Sequence, residues 1–297
     1  MKSFTYLYRI VGILTFTFSL ITFTVCAQSQ DIKLLIRVDD MGAAHAVNEA
    51  CIETYKEGIA KSVEVMVPTP WFVEAAEMLN ENPGLDVGVH LTLTSEWKNV
   101  KWRPLTDAKS MVDENGYFFP MTGRNENFPS NSSFLESAWK IEEVEKELRA
   151  QIEMAMENIN NVTHVSAHMG TATSTPELRE LTHRLAEEYN LNIDLSSLKV
   201  QSLGEMGDYK QNQDTPSEER IQNFIQILEK LEPGVWLFVE HPAYDTPEMQ
   251  AIHHIGYEHV ASDRQAVTEV LTDERVKAVI AQRGIQLVSY ADLKKGL

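Results

Sequence analysis

Four short segments carry ionisable residues where an apolar run ends. The first is Arg37-Val38-Asp39-Asp40-Met41-Gly42, which drives two adjacent carboxylates into a glycine. Neighbouring acids repel, and burial raises the cost of both charges, so a bound cation is the natural compensation. A bland alternative is that one of the two caps a following helix. The second segment is Val87-Gly88-Val89-His90-Leu91-Thr92-Leu93-Thr94, the third Thr163-His164-Val165-Ser166-Ala167-His168-Met169-Gly170, and the fourth Val235-Trp236-Leu237-Phe238-Val239-Glu240-His241-Pro242. A lone histidine in an apolar strand is more often a satisfied core residue than a ligand. Four such segments ending alike point to one shared site, because parallel β/α folds keep their chemistry at the C-terminal ends of their strands. His164 precedes His168 by four residues and offers a rival ligand.

The elements that position these residues follow from periodicity. Apolar runs at 34–38, 62–67, 87–92, 163–168, 192–195, 235–240 and 285–289 predict strands. Amphipathic segments at 46–57, 71–80, 134–158, 176–189, 217–231 and 264–282 predict helices, with Gly58 and Gly284 as stops. Strands separated by helices require parallel crossovers. The expected fold is α/β, a TIM-like (β/α) barrel of irregular form with long loops at the C-terminal face. Two such loops are 95–133 and 199–216. Trp97, Trp102, Tyr117 and Phe118 in the first would serve equally to stack a sugar ring or to anchor the loop.

These motifs resemble the YdjC-like carbohydrate deacetylases, of which chitooligosaccharide deacetylase is the best-known type. The resemblance rests on Asp-Asp-x-Gly at 39–42, Ala46-Val47-Asn48-Glu49-Ala50, the strand 88–94, a Ser-x-His strand and the late His-Pro, and it runs in order from Leu34 to Tyr244. It implies a barrel-like fold and a divalent metal, Mg2+ or Zn2+, held by Asp40, His90 and His168. Asp39 would be the general base and His241 the acid. Arg37, Glu240 and Tyr244 are the expected substrate-binding residues; Arg37 shares a strand face with Asp39 and would pair with it or bind substrate. The implied reaction is removal of acetyl groups from N-acetylated sugars, with an amino-sugar oligosaccharide as substrate. Rival readings are another metal-dependent ester or phosphoester hydrolase, or an inactive barrel that only holds glycan. Relatives often pair, so a homodimer is compatible, though no patch requires one. The chain also departs from the family: Ser166-Ala167-His168-Met169-Gly170 stands where Asp-Ser-His-x-His is usual, removing a supporting acid and a further histidine. Glu240 stands where an apolar residue is common, so it would either orient His241 or be a surface acid.

The remaining sequence sets the surroundings. Lys2 and Arg9, the apolar run 10–25 and the step Val25-Cys26-Ala27 have the layout of a secretory signal peptide over residues 1–27. The run falls short of the roughly 20 residues a membrane span needs. Acylation of Cys26 to give a lipoprotein is disfavoured by Val25. The expected mature chain, 28–297, is an exported single catalytic domain in the periplasm or outside the cell, with no membrane span. Its length of about 270 residues suits one barrel. Cys51 would be its only thiol, so no disulfide follows from export. Lys and Arg number 26 against 44 Asp and Glu, a net charge of −18 that falls to about −20 without the leader. Nucleic acid is excluded as a partner on that balance. His253, His254 and His259 read as a surface loop.

Overall fold

The computed structural model describes residues 31–193 and 197–296, so the expected leader, Cys26 and positions 194–195 lie outside the described residues. From Asp31 onward the chain forms one compact unit. Its strands are β1 (Ile32–Met41), β2 (Ser62–Val65), β3 (Asp86–Leu91), β4 (Val162–Ala167), β5 (Gln201–Ser202), β6 (Gly234–Glu240) and β7 (Gln286–Val288). The helices are α1 (His45–Lys56), α2 (Phe72–Glu81), α3 (Ile141–Asn158), α4 (Pro176–Glu188), α5 (Ser217–Lys230), α6 (Pro247–Gln250), α7 (Val260–Thr272), α8 (Glu274–Arg283) and α9 (Tyr290–Lys294).

Every named strand pair is parallel, in the order β4-β3-β2-β1-β6-β5. β6 pairs β1 from Ile32 to Val38, while β7 takes Lys33–Leu35 and β2 takes Arg37–Met41. The strands curve into a half-barrel of TIM-like type. β1 runs through its middle, and Leu34, Leu35 and Ile36 are buried although they alternate between its faces, which explains that apolar run. Leu34, Ile36 and Val38 belong to the large core cluster, whereas Leu35 packs with Val288, Tyr290 and Leu293 in a small second one.

The helices answer to local signals. Thr175 accepts from Leu178 N ahead of Pro176, a standard helix start. Gly284 closes α8 in the left-handed region, at φ 64°. Gly58 stands just past the end of α1, as expected, and has a further reason to be glycine: a Cβ there would strike the backbone oxygens of Leu271 and Thr54.

Three expectations change. The helix expected over 264–282 is two helices, because Asp273 caps α8 by accepting from Arg275 N and Val276 N. The helix expected from 134 begins at Ile141; Phe134–Glu136 is a separate 3-10 turn, where the hydroxyl of Ser137 takes the carbonyl of Phe134. Residues 192–193 form no strand, and the sheet instead uses Gln201–Ser202, inside the stretch expected to be loop.

Candidate active site

A bulge in β1 builds the centre of the site. Val38 pairs Val63 and Met41 pairs Val65, so β1 spends one residue more than β2 over the same span. Asp40 sits within it at φ 72°, a left-handed conformation costly for a non-glycine residue. In a regular strand Asp39 and Asp40 would point to opposite faces. Here both face one imidazole: His90 Nε2 lies 3.6 Å from Asp39 Oδ2 and 3.7 Å from Asp40 Oδ1. The following Gly42, at φ 100°, has no room for a Cβ between Thr69 Oγ1 and Met66 O. Its N–H donates to Asn48 Oδ1 at 2.7 Å, which ties the turn to α1.

Asp40, His90 and His168 come together in the buried interior, each offering one ligand atom within 4.8 Å of the others. His168 Nδ1 is 3.3 Å from Asp40 Oδ1, and its Nε2 is 3.0 Å from Glu96 Oε2. A carboxylate only accepts, so Nε2 donates to Glu96 and Nδ1 is the nitrogen offered inward. Asp40 Oδ1 is buried and makes no hydrogen bond. An acceptor left bare between two imidazole nitrogens fits a cation, and one carboxylate with two imidazoles leaves positions open for water and substrate.

Each aspartate also has its own arginine. Arg37 donates to Asp39 through Nε and Nη2, both at 2.8 Å. Arg264 Nη2 donates to Asp40 Oδ2 at 2.7 Å. Burial raises the Asp39 carboxyl above the usual range, with Arg37 opposing. Burial acts likewise on Asp40, but Arg264, His241 and His168 outweigh it and hold that group well below the usual range. Burial and the neighbouring His168 lower His90 to about 3, so its ring is neutral. His168 is pushed up to about 10, Glu96 and Asp40 overcoming burial, so a cation bound there would displace its proton.

The other expected residues divide. His241 follows β6 beside Asp39 and Asp40, feeling both charges, while burial lowers its pKa. Glu240 is neither a surface acid nor turned toward the cluster: it is buried and pairs with Lys210 Nζ at 3.5 Å, in a group with Asp263. Alternation along the strand sends it to the helix side. Tyr244, expected at the substrate, instead lines a groove of α1 and α2 with Glu49, Ile52 and Met78. His164, the rival ligand, is taken by Glu64, with Nε2 2.6 Å from Oε1. Burial would raise Glu64, but His164 and Arg37 hold it at about 2.

Of the loop aromatics, Trp97, Trp102 and Phe118 are buried anchors, while Tyr117 is half-buried with the Arg103 guanidinium over its ring at 4.7 Å. Trp97 is 3% exposed, stacked on His254 at 5.4 Å and under Arg264 at 5.3 Å. Trp102 is equally buried and donates from Nε1 to Thr94 O at 2.7 Å. His254 therefore belongs to loop packing, while His259 pairs with Asp214 at the surface. Glu64, Glu96 and Arg264 were not foreseen. Glu64 left a signal, an acid inside the apolar run Ser62–Val65; Arg264 left none, since its helix supplies charged residues anyway.

A parallel half-barrel whose strand ends converge on buried aspartates and histidines is the setting in which the family becomes plain. The sequence model of the YdjC-like protein family matches residues 33–282, and the chain belongs to that family. A carbohydrate deacetylase of Thermus thermophilus is 35% identical over 240 residues, 74% of this chain and 80% of its own. One from Enterococcus faecalis is 30% identical over 275 residues, covering 88% and 98%. Among solved structures, a protein of Enterococcus faecalis V583 described as a cellobiose-phosphate cleavage protein is similar with a TM-score of 0.67 and 27% identity, over 89% of this chain and 99% of that one.

Proposed function

We propose that this protein is a metal-dependent carbohydrate deacetylase that hydrolyses the acetamido group of an N-acetylated sugar. The observation that carries the reading is Asp39, a buried carboxylate of raised pKa, placed beside the Asp40, His90 and His168 set. A divalent cation held by those three, Mg2+ or Zn2+, would polarise the amide carbonyl and acidify a water. Asp39 would be the base that accepts a proton from the attacking water, its direction fixed by the two hydrogen bonds from Arg37. His241 in its imidazolium form would protonate the departing amine; burial lowers its pKa, which strengthens that acid while reducing the fraction that carries the proton.

The names of the relatives support a sugar substrate. A phosphoester substrate is the poorer fit, because the arginines that reach the cluster, Arg37 and Arg264, are each engaged by an aspartate. The signal-peptide layout of residues 1–27 is what supports a reading of export, and no helix among the described residues is long and apolar enough to cross a membrane.

Acetate release from a panel of N- and O-acetylated sugars, with and without chelator and with bound metal assayed in the same sample, tests the reading. Chelator-sensitive acetate from an N-acetyl sugar is expected. One equivalent of metal with no acetate from any sugar would overturn it.

A further inference from the structure

His90 is held through the ring nitrogen that faces away from Asp40. Its Nδ1 lies 2.6 Å from Ser166 Oγ, and Ser166 Oγ donates in turn to Glu64 Oε2. A serine hydroxyl has one hydrogen, and the carboxylate, which can only accept, receives it. Ser166 Oγ is therefore the acceptor for His90, and Nδ1 must carry the proton. The free lone pair is left on Nε2, the atom that faces Asp40 Oδ1.

We infer that Glu64 is a positioning residue for the cation site, acting through Ser166 to fix the tautomer and ring direction of His90. This rests on the reading of Asp40, His90 and His168 as that site. It also accounts for the missing acid on β4: the carboxylate stands instead on β2, two strands away, and the serine relays it.

The sheet is built to allow the bridge. Glu64 pairs in register with Gly88, and Gly88 with His164, so a glycine separates the two. A Cβ at Gly88 would collide with Glu64 Oε2 and His164 Nε2. Glu64 is fully buried, with one oxygen on His164 and the other on Ser166, and Arg37 Nε 3.9 Å away. A carboxylate serving only His164 would have no need of Ser166, and that separates a positioning role from a merely structural one.

The test is Zn2+ titration of metal-stripped protein against a chromophoric chelator, with melting temperature and the imidazole N–H signals of 15N-histidine-labelled protein recorded alongside. Ser166→Ala removes the relay and leaves the Glu64, His164 and Arg37 contacts in place. Its Zn2+ affinity should fall about 10- to 100-fold, the usual effect of losing the group that orients a ligating histidine. The Nδ1–H signal of His90 should be lost, and the melting temperature should fall by a few degrees because Glu64 Oε2 loses a buried hydrogen bond. The Glu64→Gln/Ser166→Asp double variant, which sets a carboxylate directly against Nδ1, should recover most of the affinity. Unchanged affinity in Ser166→Ala, or a loss that follows the melting temperature and is not recovered, would overturn the inference. A parent protein that binds no Zn2+ would instead remove the cation site itself.

Discussion

β1 and β6 lie side by side, and each delivers two adjacent ionisable residues to the same end of the sheet, yet they deliver them differently. At the end of β1 a bulge and a left-handed residue turn Asp39 and Asp40 toward the same imidazole. At the end of β6 the alternation is undisturbed: His241 feels the Asp39 and Asp40 charges, and Glu240 is sent outward to Lys210 and Asp263. Side-chain chemistry alone would have ranked the two pairs as equals. The backbone decides which acid reaches the reaction.

The comparison breaks most visibly at Asp40. Asp40→Asn should cost about 3–5 kcal/mol of stability, because it leaves Arg264 buried without its partner charge. It should also empty the site and lower kcat by roughly a thousandfold or more. Chemical denaturation with metal analysis checks both, and full metal occupancy would remove Asp40 from the ligand set.

Asp39→Asn should lower kcat by about 10^2- to 10^4-fold while sparing metal content, since it removes a base but no ligand. Loss of metal in this variant would make the two aspartates equivalent after all.

The proton on His168 gives a smaller, graded effect. With its pKa near 10, binding of a cation at neutral pH displaces that proton, so affinity must fall as pH falls. Competition titrations should show Zn2+ affinity dropping roughly tenfold per pH unit between about pH 8 and 6. A flat profile would mean that Nδ1 is not the ligand atom.

Glu240→Gln should change least. Stability should fall by about 0.5–1.5 kcal/mol through the weakened contact with Lys210. The Glu240 charge raises the His241 pKa more weakly than Asp40 and Asp39 do, so the pH–rate profile should move only slightly, to lower pH; a large displacement would erase the contrast between the two strand ends.

Much of the fold was legible because strands and helices announce themselves by local period. The long apolar strands and most helices fall where expected, and the break at Asp273 and the short β5 do not, since each turns on one cap or on two ladder bonds. Among the site residues, Asp39, Asp40, His90 and His168 stand out in the sequence as ionisable groups at apolar strand ends. Glu96 and Arg264 do not, because their meaning lies in His168 Nε2 and Asp40 Oδ2, which belong to distant segments.

The sequence by itself determined the alternation of strands and helices, the family and the residues able to ligate or move protons, because these depend on neighbours along the chain. Only the tertiary structure decided that Trp97 and Trp102 anchor a loop, that Tyr244 lines a separate groove, and that an acid on β2 supports a histidine on β3. Burial, facing and hydrogen-bond direction are set by what packs across the sheet, and no local pattern encodes them.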